Sequence, residues 1–299
     1  MRPRRPVRRG RGNPLPPGVL STVLLALGAS LAWGFADFGA GVAARRLPVV
    51  LVILVSQVAG LVLGGLLVAT VGGDAPSARR ILYGAAAGAA GFVGLIAFYT
   101  AMKVGAMGVI TPITATAVLV PVAVGLIHGE RPSGLQGAGV AIALTGVVVA
   151  SIEPEREVLH DRRIAAGVGF ALIAALAFGS SFVGLNAAAK GSPIWATFSM
   201  RVTAVPLGLA FVLAMRLPVR GSLRHWPLLA GVGLADTGAN ILFGLAGNRG
   251  LLSVVAVLAS LYPVIVVALA RVLLSERLAP SQLGGAAAAL AGVALISAG

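Results

Sequence analysis

Two carboxylates lie within apolar stretches of the sequence, and each has an aromatic or polar residue one helical turn away. Asp37 follows Trp33 by four residues, and Asp236 precedes Asn240 by four. Residues at this spacing share one face of a helix. A carboxylate beside an aromatic ring can bind a cation or carry a proton, and a carboxylate beside an amide can line a polar pathway. These four residues are the first candidates for a ligand site.

Each carboxylate also has a structural interpretation. Asp37 comes late in its apolar stretch, where it would meet only water or Arg45 at the outer mouth of the helix. Asp236 lies near the middle of its stretch, and an ionisable group at that depth needs a cavity or a partner. Asp236 therefore either lines a pathway or forms a structural bridge with Arg201. We assign Arg201 a structural role, because its long stem can extend along apolar surface.

Other polar residues within the apolar stretches are weaker candidates for substrate contacts. Hydroxyl groups in such helices often bond back to their own helix, and amides often only join neighbouring helices. These candidates are Tyr99, Thr111, Thr114, Asn186 and Tyr262, together with Gln57. Two glutamates, each followed by an arginine, occupy equivalent turns, and we interpret both as anchors of the fold that cap the following helix. They are Glu130 and Glu276.

The composition indicates an integral membrane protein. Of its 299 residues, 58% are hydrophobic and 11% are charged, whereas a soluble domain carries about 25% charged residues. The net charge of +14 would favour nucleic acid as a partner in a soluble protein. Here six arginines are concentrated in the N-terminal segment MRPRRPVRRGRG, which is typical of a cytoplasmic anchor before a first span. We therefore expect no nucleic-acid partner.

Proline, glycine and charge clusters divide the sequence into ten apolar segments of about the length that a transmembrane helix needs. The segments are predicted at 19–43, 48–71, 80–102, 106–128, 133–151, 164–188, 193–215, 225–248, 251–274 and 280–298. A polar hinge, SIEPEREVLHDRR, separates the fifth segment from the sixth. The predicted organisation is a basic tail over 1–18, a first repeat over 19–151, a hinge over 152–163 and a second repeat over 164–299.

The two halves of the chain contain similar short sequence motifs in the same order. Ala32-Trp33-Gly34 corresponds to Ala177-Phe178-Gly179, and Pro48 corresponds to Pro193. This indicates a duplicated unit of five spans, and an odd number of spans sends the second copy into the membrane from the opposite side. The sequence therefore predicts an all-α integral membrane protein with ten transmembrane helices, built as two inverted five-helix repeats, an arrangement common among secondary transporters.

The orientation follows from the basic tail, which predicts cytoplasmic N- and C-termini for an even number of spans. The loop charges favour the reverse orientation. With a cytoplasmic tail, Arg45, Arg46 and the arginines of the hinge would lie outside the cell, where basic loops are less common. We give the tail more weight, since its cations are concentrated beside the first span. The expected location is the inner or plasma membrane of the cell, with the chain crossing it many times.

These features resemble the EamA branch of the drug/metabolite transporter superfamily. The resemblance rests on Trp33-Gly34, on Met200-Arg201 and on the segment SLYPVIVVALARVLLSERLAPSQLGGAAAALAGVALIS that begins at Ser260. It implies movement of small metabolites, amino-acid-like compounds or drugs through a central site lined by spans one, three, four, six, eight and nine. The first repeat departs from the second at Ala117, where the second has Pro263, so the kinks of spans four and nine are expected to differ.

Three other functions remain as alternatives to a transporter. A scaffold or receptor needs neither duplication nor carboxylates within the membrane, and a channel should show a polar stripe along several helices. An intramembrane enzyme is disfavoured, because the three histidines lie at span ends or in loops and no zinc or nucleophile motif occurs. No cofactor or metal is expected, and energy must come from a gradient or from exchange. The expected partners are a small-molecule substrate and the lipid bilayer, with a proton or exchanged co-substrate and a second copy of the chain left open.

Overall fold

A computed structural model describes residues 17–44, 46–104, 113–150, 161–216, 222–273 and 279–298, and these residues form helices and short connections without strands. The helices are α1 (Pro17–Ala44), α2 (Val49–Val71), α3 (Ala78–Val104), α4 (Leu119–Ile127), α5 (Gly134–Ala150), α6 (Asp161–Ala189), α7 (Pro193–Ala214), α8 (Trp226–Gly247), α9 (Leu252–Ala259), α10 (Tyr262–Leu273) and α11 (Pro280–Ala298). The predicted tail lies almost entirely outside the described residues, and the predicted hinge does so up to Asp161, where α6 begins.

Within the described residues, six helices are long and apolar enough to cross a membrane, namely α1, α2, α3, α6, α7 and α8. Shorter apolar segments follow each group of three, and they are Ile113–Ile127, Gly134–Val149, Leu252–Val266 and Leu283–Ile296. Each half of the chain therefore has three long helices followed by two shorter apolar segments. The number of ten spans stays a prediction, because four segments are shorter than a full span.

The fourth span of each repeat is interrupted at positions that nearly correspond. In the first half a short 3₁₀ helix, Thr116–Val118, precedes α4. In the second half the chain turns at Ser260 and Leu261, between α9 and α10. Pro263 is the second residue of α10, where its missing N–H costs little. The interruption thus occurs with or without proline at this position, although its local form differs between the halves.

The halves pack against each other through reciprocal contacts. Gly39 of α1 lies against Val232 of α8, and its counterpart Gly184 of α6 lies against Ala87 of α3, the counterpart of Val232. Gly34 and Gly179 likewise lie against Ile265 and Val120. The helix pairs α1 with α8 and α3 with α6 are thus equivalent. Such reciprocity is what an approximate two-fold relation between the halves produces.

The contacts also fix the directions of the first helices of the two halves. Along α1, Gly28 lies against Leu242 and Gly39 against Val232, so α1 and α8 are antiparallel. Along α6, the Phe182 ring lies 5.4 Å from that of Phe243, and the Asn186 side chain lies against Gly247, so α6 and α8 run in the same direction. Helices α1 and α6 therefore point in opposite directions.

The pairing of α5 with α11 depends on glycine at the crossing. A Cβ atom added to Gly146 would clash with the backbone nitrogen of Ala289, whereas one added to Gly137 would meet nothing within 4 Å. We expect Gly146→Ala to lower the thermal unfolding midpoint in detergent, at a cost of about 1–3 kcal/mol from overpacking. Gly137→Ala, in the same helix, is the matched control and should not lower it. Equal midpoints for the two variants would contradict this packing.

Glu130 stabilises the start of a helix in the other half of the chain. Its Oε1 accepts a hydrogen bond from Leu252 N at 2.6 Å, and its Oε2 accepts one from Ser253 N at 2.9 Å. A carboxylate at a helix N-terminus satisfies free N–H groups and interacts favourably with the helix dipole. The sequence suggested a cap on the following helix, but Ser133 and Gln136 close the start of α5 with reciprocal bonds.

We expect Glu130→Gln to destabilise the protein by about 1.5–3 kcal/mol, because the amide has one acceptor oxygen, keeps at most one of the two hydrogen bonds and turns its NH2 group toward the other N–H donor. The measurement is the thermal unfolding midpoint of the purified protein in detergent. Asp74→Asn, which removes an exposed carboxylate between α2 and α3, is the control. A midpoint for Glu130→Gln no lower than that of Asp74→Asn would show that the cap contributes little.

Candidate functional site

A hydrogen-bonded group around Asp236 joins four helices from both halves of the chain. Asp236 Oδ2 accepts a charged hydrogen bond from Arg201 Nη2 at 2.6 Å, and Asp236 Oδ1 accepts one from Trp33 Nε1 at 3.0 Å. Arg201 Nη1 also donates to Gln57 Oε1. We call Trp33, Gln57, Arg201 and Asp236 the Asp236 network. It connects α1 and α2 of the first half with α7 and α8 of the second.

Burial shows which member of the Asp236 network faces open space. The Arg201 side chain is 4% exposed and that of Asp236 is 28% exposed. Arg201 Nε is buried and has no hydrogen-bond partner among the described residues, and it lies with Thr237 against Gly60, where a Cβ atom would not fit. The guanidinium is thus enclosed, whereas the carboxylate of Asp236 borders an accessible space.

Three aromatic rings pack around Trp33 of the Asp236 network. The Trp33 ring centroid lies 5.3 Å from that of Phe182, 5.7 Å from that of Phe243 and 6.5 Å from that of Tyr262. We call these four residues the aromatic cluster. They come from α1, α6, α8 and α10, so the cluster lies where the first half meets three helices of the second. Phe182 and Tyr262 are partly exposed, whereas Trp33 and Phe243 are buried.

Asp37 is exposed although it lies on the inward face of α1. Its helical spacing places it on the face of the buried Ser30 and Trp33. The lipid-facing side of α1 is the opposite one, where the exposed residues Leu24, Leu31 and Phe35 lie. A residue that is exposed among buried neighbours borders an opening within the bundle. Asp37 is also close enough to Asp236 and Tyr262 for electrostatic interaction.

The structure brings some of the predicted site residues together and leaves others apart or undescribed. Asn240 is buried, and its Nδ2 donates to the carbonyl of Asp236 at 2.8 Å, so part of its side chain is used within α8. Asn186 is buried beside Gly247, with Oδ1 unpartnered among the described residues. Thr114 is buried near the interruption of the fourth span. Thr111 and Glu276 lie outside the described residues, as does the side chain of Tyr99.

Three residues of the site received little or no weight from the sequence. Phe182 and Phe243 are ordinary residues of apolar spans, and Gln57 was only a weak candidate. The repeat relation that pairs Trp33 with Phe178 also pairs Asp37 with Phe182, and Phe243 lies one turn after Asn240. Both signals are present in the sequence, but they have meaning only once the facing helices are known. Among the described residues, no three histidine, aspartate or glutamate side chains group as metal ligands.

The fold and the site define a helical membrane protein of two similar halves with polar and aromatic side chains at their junction. The sequence matches the EamA-like transporter family twice, over residues 20–152 and over residues 165–298. The chain belongs to this family, whose members are transporters rather than enzymes. This confirms the predicted family, the two-repeat architecture and the multi-pass membrane location in its general form.

Solved structures support the same fold. One crystal structure superposes with a TM-score of 0.77 at 18% sequence identity, covering 92% of this chain and 96% of its own. It is among 29 chains of solved structures that match. At this identity the match shows the fold alone. A comparison with curated proteins finds no match.

Proposed function

We propose that this chain is a secondary active transporter that exports a small molecule across the cell membrane by alternating access, coupled to the proton gradient. The observation that carries the proposal is the position of the Asp236 network and the aromatic cluster. Both combine side chains of α1 with side chains of the second half, so relative movement of the halves must reshape them. A site at such a junction can open to one side of the membrane and then to the other.

The reciprocal packing of the halves supports alternation. Because α1 and α6 point in opposite directions and make equivalent contacts, the two halves can exchange their small differences in conformation. Such an exchange would convert an opening on one face of the membrane into an opening on the other. The proposed repeats are residues 19–151 and 164–299, joined by the segment 152–163, and both chain ends lie in the cytoplasm.

We assign roles to the site residues in two groups. Asp37 holds the coupling proton or the substrate, because it borders the opening and keeps its carboxylate available. Arg201 and Gln57 hold Asp236 in place, and Glu130 and Glu276 anchor the fold. The residues that line the substrate path are Trp33, Tyr99, Thr111, Thr114, Asn186, Asp236, Asn240 and Tyr262.

The test is an untargeted comparison of metabolites inside and outside cells with and without the protein. The proposal predicts that at least one compound is depleted inside and enriched outside, and that its flux into inverted membrane vesicles saturates and depends on a pH gradient. Cells that express Asp37→Asn at an equal level are the control. Unchanged metabolite levels together with an absence of saturable flux would contradict the proposal.

A further inference from the structure

We infer that the substrate of this site carries a positive charge on an apolar or aromatic body, and that Asp37 is its counter-ion. The inference rests on the proposed function, because it concerns the ligand of the same site. Near the site, the charge of Arg201 is matched by Asp236, whereas the carboxylate of Asp37 is available to a ligand.

The positive charge of Arg201 beside the site is already matched. Asp236 accepts from Arg201 on one oxygen and from Trp33 on the other. Arg201 gives its second terminal nitrogen to Gln57, and its side chain is only 4% exposed. An anionic substrate would have to displace Asp236 from Arg201 and reach an enclosed guanidinium. Separating this buried ion pair leaves each charge without its partner and carries a desolvation cost. The Arg201–Asp236 pair therefore contributes little net charge to the opening.

Asp37 has no ion-pair partner within the described part of the chain. Arg45 is the nearest basic residue along the sequence and lies outside the described residues. The α1 helix continues for seven residues past Asp37, to Ala44, which is about 10 Å along the axis at a rise of 1.5 Å per residue. The described residues thus leave the Asp37 carboxylate unmatched, and a cationic ligand would neutralise it.

The second half supplies an aromatic ring at the repeat position where the first half supplies the carboxylate. Phe182 is the repeat counterpart of Asp37, and it lies in the aromatic cluster with a partly exposed side chain. Tyr262 is also partly exposed and lies within electrostatic range of Asp37. A cation near an aromatic face is attracted by the ring quadrupole, and the attraction increases when water is excluded. A carboxylate one helical turn from Trp33, together with partly open rings packed around Trp33, favours an organic cation.

The experiment uses Trp33 as a reporter in the purified, full-length protein. The chain has three tryptophans, and Trp195→Phe with Trp226→Phe leaves Trp33 as the only one. Trp226 is 62% exposed, and Trp195 bonds to the carbonyl of Gly73 between α2 and α3, so neither is part of the site. Three probes of similar shape are titrated, namely phenyltrimethylammonium, its neutral carbon analogue tert-butylbenzene, and the anion benzenesulfonate.

We expect phenyltrimethylammonium to change the Trp33 fluorescence with an affinity at least tenfold higher than that of either other probe. Asp37→Asn should weaken its binding at least tenfold, and the exposed control Asp74→Asn should not. Equal affinities for the three probes, undetectable binding of the cation, or unchanged binding by Asp37→Asn would overturn the inference.

The binding experiment and the transport experiment can fail independently. Saturable export of a neutral or anionic compound would leave the proposed function intact and overturn the inference about charge. Selective binding of the cation without any saturable flux would support the charge of the ligand and contradict the transporter.

Discussion

The Asp37→Asn variant is expected to fold as the wild type does and to lose gradient-driven transport. Asparagine has nearly the same shape as aspartate, and no ion pair within the described residues depends on Asp37. The amide neither takes up a proton nor neutralises a cation. Loss of one partner of a desolvated charge pair typically costs about 2–5 kcal/mol, so transport should fall by more than about tenfold.

The measurement for Asp37→Asn is flux of the exported compound into proteoliposomes with and without an imposed pH gradient. The thermal unfolding midpoint of the same preparation shows whether the fold is kept. Asp74→Asn is the matched control, because it makes the same chemical change at an exposed position outside the helices. Gradient-dependent flux that persists in Asp37→Asn would remove this residue from the mechanism.

A second large effect is expected when Asp236 loses its charge and Arg201 keeps its own. In Asp236→Ala the guanidinium of Arg201 remains buried without its counter-ion and Trp33 Nε1 loses its acceptor. Breaking a buried ion pair from one side costs about 3–5 kcal/mol, which is a large part of the stability of a typical protein. We therefore expect poor expression and a much lower unfolding midpoint in detergent.

The double variant Arg201→Gln with Asp236→Asn separates folding from transport. It removes both charges together and keeps an acceptor for Trp33 and a polar partner for Gln57, so most of the lost stability should return. Transport should not return, because the network that links the halves has been altered. A single Asp236→Ala variant as stable as the wild type would show that Arg201 is not enclosed as the structure indicates.

Much of the site could be predicted from local spacing, but its partners could not. The turn that separates Asp37 from Trp33, and Asp236 from Asn240, is a property of one helix and is visible in the sequence. The bond from Trp33 to Asp236 joins residues more than 200 positions apart. Such a contact depends on how the halves pack, and the sequence left open whether Asp236 lines a pathway or pairs with Arg201.

For Glu130, likewise, the sequence predicted the capping role but not the helix that is capped. Its position before an arginine at a turn indicated a cap, and the carboxylate does cap a helix. The sequence indicated the next helix along the chain, whereas the actual partner is α9 in the other half. The start of α5 already has Ser133 and Gln136, so the free N–H groups that Glu130 satisfies are those brought to it by tertiary packing.

The element boundaries show where apolar composition alone is insufficient. Helix α6 begins at Asp161, within the predicted hinge, because a membrane helix can extend beyond the apolar region into water. The predicted ninth span is continuous in hydropathy, yet the chain turns at Ser260 and Leu261. Hydropathy reports the solvent around a segment, whereas a turn within lipid depends on neighbouring helices that satisfy the free backbone groups.

The most direct test of the account is whether the site opens to both faces of the membrane. The chain contains no cysteine, so Tyr262→Cys introduces a single thiol beside the aromatic cluster, and Asp74→Cys introduces one in a loop. Membrane-impermeant maleimide is applied separately to right-side-out and inverted vesicles. The account predicts that Tyr262→Cys is labelled in both preparations and Asp74→Cys in only one. Labelling of Tyr262→Cys from a single face would contradict alternating access.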